Sequence, residues 1–225
     1  MKFRSHTLPS ASAFVLALLM MPPANATIIT SLPGGTLEAM PIVNYFGAGP
    51  QTFGDGVTET VTWSSTNSTN QNGSAFGYDG AYGFGSNGFW DGTLGTMAGV
   101  NSTYSVYGIR DTMTFAFSNP VSAVGGFINY YNDSQNTPTI AVYDSINNLI
   151  ESYNLSFSTG GGDNTGYFYG FSESTPIRYF TLTDAYVSIT NLTVLTTAQI
   201  PEPASLTLFG IGMAGMAFGK RRKLV

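Results

Sequence analysis

Apolar side chains in the middle of this chain recur at every second position, and that period dictates the class of fold. Met113, Phe115 and Phe117 alternate with Thr112, Thr114 and Ala116. Ile140 and Val142 alternate with Thr139, Ala141 and Tyr143, and Phe180 and Leu182 with Tyr179, Thr181 and Thr183. Val187 and Ile189 alternate with Ser188 and Thr190. Successive side chains of an extended strand point to opposite faces, so each run lays one apolar face on a core. Leu192 and Val194 continue in the opposite phase, and the slip at Thr190-Asn191 predicts a β-bulge. Further strands are expected near residues 58–63, 122–131, 149–158 and 166–171, with turns at Asn119-Pro120, Asn147-Asn148, Gly160-Gly161-Gly162 and Ser174-Thr175-Pro176. Many short antiparallel strands in a segment of this length predict an all-β domain, an antiparallel β-sandwich of jelly-roll form.

One stretch breaks the pattern. From Gly73 to Gly108 glycine alternates with aromatic residues, as in Phe76-Gly77-Tyr78 and Tyr82-Gly83-Phe84-Gly85. Two readings compete: a loop whose rings plug the edge of the core, or a surface that offers Tyr82, Phe89 and Trp90 to a ligand. Packing is the favoured one, since rings beside glycine are usually satisfied by neighbouring side chains.

The ends have a different chemistry. Lys2 and Arg4 precede an apolar run from Ala11 to Met21, which Pro22-Pro23 breaks. Ala24-Asn25-Ala26 has the small-x-small form that signal peptidase cuts, so residues 1–26 read as a secretory signal with cleavage before Thr27. At the other end, Pro201-Glu202-Pro203 is followed by an apolar run from Ala204 to Gly219 and then by Lys220-Arg221-Arg222-Lys223. The prolines stop a helix from running back into the domain. The apolar run is short for a span, which needs about 20 residues. The four cations resist translocation and keep the end on the cytoplasmic side of the inner membrane. The chain therefore divides into a signal peptide (1–26), a β-sandwich (27–199) and a short hydrophobic helix with its flanking motifs (200–225).

This tail resembles the PEP-CTERM sorting signal of exported bacterial proteins. The resemblance implies that Pro201, Glu202 and Pro203 are recognised by an exosortase, a membrane-embedded cysteine protease or transpeptidase. It also implies that the chain ends at the cell envelope, the surface or the extracellular matrix of a Gram-negative-type bacterium. The segment from Thr112 to Val194 is similar to the body of a group of such exported proteins, on Thr114-Phe115-Ala116-Phe117, Pro120 to Phe127, Tyr143-Asp144, Phe168-Tyr169-Gly170-Phe171 and Ile189-Thr190-Asn191-Leu192. That likeness carries no catalytic residue.

Composition excludes several functions. The chain has no cysteine, and its one histidine, His6, lies in the signal. Of eight lysines and arginines, residues 27–199 keep Arg110 and Arg178; of thirteen acids, Glu202 alone lies in the tail. The body therefore carries two positive and twelve negative charges. Without imidazole there is no Ser-His-Asp triad. Without His or Cys an ordinary zinc or iron site is excluded. A body this acidic repels a phosphate backbone, so no nucleic acid is a partner.

Carboxylates, hydroxyls, amides and aromatic faces remain. Calcium takes oxygen ligands, and its candidates are Asp79 and Asp91 in the glycine-rich stretch, with Asn87 nearby, and Asp55 before Gly56. The competing reading is that these aspartates bond their own turns. A carbohydrate platform for exopolysaccharide would use Trp90, Tyr82 and Phe89, while Trp63, beside Val61 on a strand, reads as core. A glycoside hydrolase needs two carboxyls about 5–10 Å apart. Glu38, Glu59, Glu151 and Glu173 are present, but no spacing singles out a pair, and Glu151 and Glu173 read as strand-edge or turn residues. Arg110 and Arg178 read as partners in structural ion pairs. The sequence points to a non-enzymatic surface or matrix protein, with carbohydrate binding as the alternative.

Overall fold

The computed structural model describes residues 27–196, apart from 55, 57–58, 69–72, 102–109 and 133–136. Ala24, Ala26, Asp55, the Pro201-Glu202-Pro203 motif and the Lys220 to Lys223 cluster lie outside the described residues. The strands are β1 (Thr27–Ile29), β2 (Thr36–Leu37), β3 (Tyr45–Phe46), β4 (Gln51–Phe53), β5 (Val61–Ser65), β6 (Ala75–Tyr78), β7 (Tyr82–Gly83) and β8 (Phe89–Trp90). They continue as β9 (Met97–Asn101), β10 (Asp111–Tyr130), β11 (Thr139–Tyr143), β12 (Leu149–Asn154), β13 (Tyr167–Asp184) and β14 (Tyr186–Thr196). Twelve strands share one antiparallel sheet, and β7 pairs with β8 alone.

Two strands are long enough to serve both ends of that sheet. Residues 113–117 of β10 pair with β5, and residues 111–116 pair with residues 179–184 of β13, beyond which lie β11 and β12. Residues 121–130 of β10 pair with β14 and residues 123–128 with the first part of β13, which β1 flanks. β9, β6 and β3 extend the sheet past β14. Between these halves both strands kink. The register steps from Ala116 opposite Tyr179 to Val121 opposite Ile177, then to Ala123 opposite Ser172. Extra residues therefore enter β10 first and β13 next. They are the exposed triplets Ser118-Asn119-Pro120 and Ser174-Thr175-Pro176, where the sequence predicts turns. Neither reverses the chain. A proline without an N–H is tolerated in a strand at a bulge, where the ladder is already interrupted.

Glu59, 1% exposed, holds the kink. Its carboxylate accepts from Ser118 Oγ (2.8 Å), the Asn119 amide (3.1 Å) and the Thr60 amide (3.2 Å). The Ser118 amide donates to the Thr60 carbonyl (2.9 Å), and Arg178 Nη1 donates to the Ser118 carbonyl (2.6 Å). The donors that the bulge takes out of the ladder are met here by a carboxylate.

The period-two residues do what their spacing requires. Met113, Phe115, Phe117, Ile140, Val142, Phe180, Leu182, Val187, Ile189, Leu192 and Val194 are all buried. Rings from the two halves meet: Phe171 with Phe180 at 6.3 Å, Trp63 with Phe76 at 5.3 Å and Phe53 with Phe76 at 5.1 Å between centroids. The sheet is folded over on itself, and the core lies between its layers. The expected bulge is present: pairing passes from Gly125 opposite Thr193 to Phe127 opposite Thr190, and Asn191 takes a positive φ of 52°.

Glu59→Ala removes the charged acceptor that part-buried donors at the kink share, a cost of about 1–3 kcal/mol in all. Denaturant unfolding should show a loss in that range, larger than the loss for Ser118→Ala.

Candidate functional site

The glycine-rich stretch packs. β7 and β8 pair Tyr82 with Trp90 and Gly83 with Phe89. Trp90, Phe84 and Met97 form a small second core, with Tyr78, Tyr82 and Tyr186 against it. Trp90 is 2% exposed, so its ring is packed and its face is not offered to a sugar. Tyr82 stacks on Tyr186 at 4.6 Å and donates to the Val100 carbonyl (3.3 Å). Burial, followed by the neighbouring Tyr186, pushes the Tyr82 phenol well above its ordinary value. Phe89 is exposed. Glycine is required where the loop crosses itself: a Cβ on Gly92, at φ 90°, would sit 1.8 Å from the Asp79 carbonyl oxygen.

Asn87, fully buried, ties this stretch to the segment before β13. Its Nδ2 donates to the Tyr130 carbonyl (3.2 Å). Its own carbonyl accepts from Asn129 Nδ2 (3.1 Å), Asn164 Nδ2 (3.1 Å) and Thr159 Oγ1 (2.8 Å). Asn129 also donates to Asn164 Oδ1 (2.9 Å). Three asparagines from three distant segments thus satisfy one another, and no local pattern announces it.

Asp91 is committed to its own turn. Oδ1 accepts from the Thr93 amide (2.9 Å) and from Thr93 Oγ1 (2.7 Å). Those bonds hold its carboxyl below the usual range. Asp79 is exposed, and its amide donates to Asn44 Oδ1 (3.2 Å). Among the described residues no group of three or more His, Cys, Asp or Glu is placed to hold a metal ion. The arginines bond to carbonyls: Arg178 as above, and Arg110 to Thr137 and Thr183.

Two arrangements escaped the sequence. The first is an open groove of about 440 Å³ beside β1, lined by Thr30, Ser31, Phe127, Tyr167, Phe168 and Tyr169 among others. Phe127 and Phe168 meet edge to face at 5.7 Å, and Phe127 and Tyr167 are exposed. The ring of Phe168 lies where a Cβ on Gly125 would be 2.7 Å away, so glycine makes its seat. Aromatic faces flanked by two hydroxyl side chains suit a ligand with apolar C–H faces and hydroxyl edges.

The second is a carboxyl pair. Glu151 on β12 is in register with Val142 and, through it, with Phe180. Both are core residues, so Glu151 leans to the interlayer side. Glu173 follows Phe171 by two residues on β13 and shares its face. It is 7% exposed. Both its carboxyl oxygens and Glu151 Oε2 are shielded from solvent, and among the described residues only the Glu151 carboxyl faces Glu173 as a hydrogen-bond partner. Burial, then the charge of Glu151 and a hydrogen bond shared with it, push Glu173 up to about 7. The spacing of residues 151 and 173 carries no signal of this meeting, because it is made by folding one layer over the other.

Residues 199–223 match the family model of the PEP-CTERM protein-sorting motif. The motif marks the chain as an exported, envelope-associated protein directed to an exosortase. Comparison with curated proteins finds no match.

Asn87→Ala keeps the backbone carbonyl that Asn129, Asn164 and Thr159 Oγ1 bond, but it strands the Tyr130 carbonyl and the Thr159 amide, which its side chain meets. Thermal unfolding should show a loss of about 1–3 kcal/mol, and limited proteolysis should cut within residues 80–95 sooner than in wild type.

Proposed function

We propose that this chain is a non-enzymatic structural component of the cell surface or extracellular matrix. The signal peptidase releases it before Thr27, the tail engages the inner membrane transiently, and the exosortase processes it at Pro201-Glu202-Pro203. The observation that carries this reading is the sorting motif at 199–223, C-terminal to a β-sheet body described as far as Thr196. The carboxyl pair Glu151–Glu173 supports the non-enzymatic side. A glycosidase needs room for a sugar between its acids, whereas these oxygens are closed off between the layers.

The groove favours a second role on the same scaffold. Phe127 and Tyr167, with Thr30 and Ser31, make a platform for exopolysaccharide, displaced from the expected one at Trp90, Tyr82 and Phe89. Phe89 remains an exposed ring outside it.

Mass spectrometry of the protein from its native cells tests the first role. The expected termini are Thr27 and a residue near Pro201 to Pro203, and an intact Val225 in the exported product would make the tail a retained anchor. Polysaccharide pull-down tests the second. Phe127→Ala and Tyr167→Ala should each weaken retention several-fold and leave the melting temperature nearly unchanged, while Phe89→Ala should not alter retention.

A further inference from the structure

The charge of the Glu151–Glu173 pair is unmet by any side chain of the body. Between residues 27 and 199 the sequence supplies two cations, Arg110 and Arg178. Arg178 is turned to the Ser118 carbonyl and Arg110 to the Thr137 and Thr183 carbonyls. Among the described residues the oxygens of Glu173 meet no donor beyond the Glu151 carboxyl. The titratable neighbour that acts on Glu173 is Glu151, of the same sign. Two residues along β12 from Glu151, Tyr153 stacks on Tyr169 of β13 at 5.9 Å, a neutral pair whose Tyr169 phenol is pushed up by burial. A buried acid pair without a cation is costly.

Export creates one more cation. β1 runs antiparallel to β13, with Ile29 opposite Gly170, Ile28 opposite Phe171 and Thr27 opposite Ser172. Ile28 packs on the core, as Phe171 does. The backbone nitrogen of Thr27 therefore lies about one strand spacing, ~4.8 Å, from β13, and within one residue's rise of Glu173. In the precursor this nitrogen is an amide. After cleavage between Ala26 and Thr27 it becomes an ammonium group, with an ordinary pKa of about 7.7–8.0.

We propose that removal of the signal peptide creates the counter-ion of the Glu151–Glu173 pair: the new α-ammonium group of Thr27 docks against the two carboxyls at the edge of the interlayer core. The domain is thereby completed only in the exported, cleaved form. The inference rests on cleavage before Thr27. The ammonium needs no partner beyond this chain, and its charge is supplied by the hydrolysis that signal peptidase performs, which turns the Ala26–Thr27 peptide into a carboxylate on the released signal and an amine on the mature chain.

Two exported forms test it: wild type, and a variant with Gly-Ser inserted between Ala26 and Thr27, which moves the amine two residues upstream. N-terminal sequencing of both comes first, and an exported wild type that does not begin at Thr27 overturns the cleavage reading and the proposal with it. In the extended form Glu173 keeps its raised pKa. Its contribution is fully present below its ordinary value of about 4.5 and is lost as pH rises through about 7. In wild type the ammonium holds the carboxyl ionised, and that loss is absent. The melting-temperature advantage of wild type should therefore grow between pH 4.5 and 7.5, and Glu173→Gln in both forms should abolish it. The α-amine of native wild type should also be acylated several-fold more slowly than that of the extended form, a readout that does not require Glu173→Gln to fold. With Thr27 confirmed as the first residue, equal melting at every pH or equal acylation rates would overturn the pairing. So would an equal rise in melting temperature of both forms on adding calcium, which would assign the pair to a divalent cation.

Discussion

The structure depends on two strands that do not stop where their sequences turn polar. β10 and β13 each cross from one layer to the other, and each carries a proline-containing triplet at the crossing. A bulge lets a strand bend without leaving the sheet, but it removes amides from the ladder. Glu59 accepts from the Asn119 amide and the Ser118 hydroxyl, the Thr60 carbonyl takes the Ser118 amide, and Arg178 satisfies the Ser118 carbonyl. The rest of the sandwich follows from this corner. It sets β5 and β11 on one layer and β14 and β1 on the other, and it brings Phe171 over Phe180.

The same crossing explains where polar groups are buried. Folding one sheet over itself encloses whatever lies on the inward face near an edge. Glu173 is such a residue, two positions after Phe171, and Glu151 meets it from β12. Asn87 and Asn129 are buried, and Asn164 half-buried, for a related reason: the glycine-rich stretch covers the end of the core, and its backbone needs partners there. In one case the groups satisfy one another. In the other, two groups of like charge are set together without a cation, and the partner we propose for them is the first residue of β1.

Export and architecture meet at the ends of the domain. β1 is described from Thr27 and β14 to Thr196, and the matched sorting motif spans 199–223. A body of this kind can be handled at both termini without disturbing its core, except where the first residue itself closes the edge.

Much of this was determined by the sequence alone. Period-two runs fixed which faces are buried, because the side chains of an extended chain must alternate, and the phase slip at Thr190-Asn191 located the bulge for the same reason. The tail could be read because its parts are contiguous: a motif, an apolar run and a basic stop act in order along the chain. The tertiary structure decided the rest. It turned Asn119-Pro120 and Ser174-Thr175-Pro176 from turns into kinks, buried Trp90, raised an aromatic groove around Phe127 and Tyr167, and joined Glu151 to Glu173. Each of these depends on which layer lies over which, and that is settled by contacts between residues far apart in the chain, which no local spacing records.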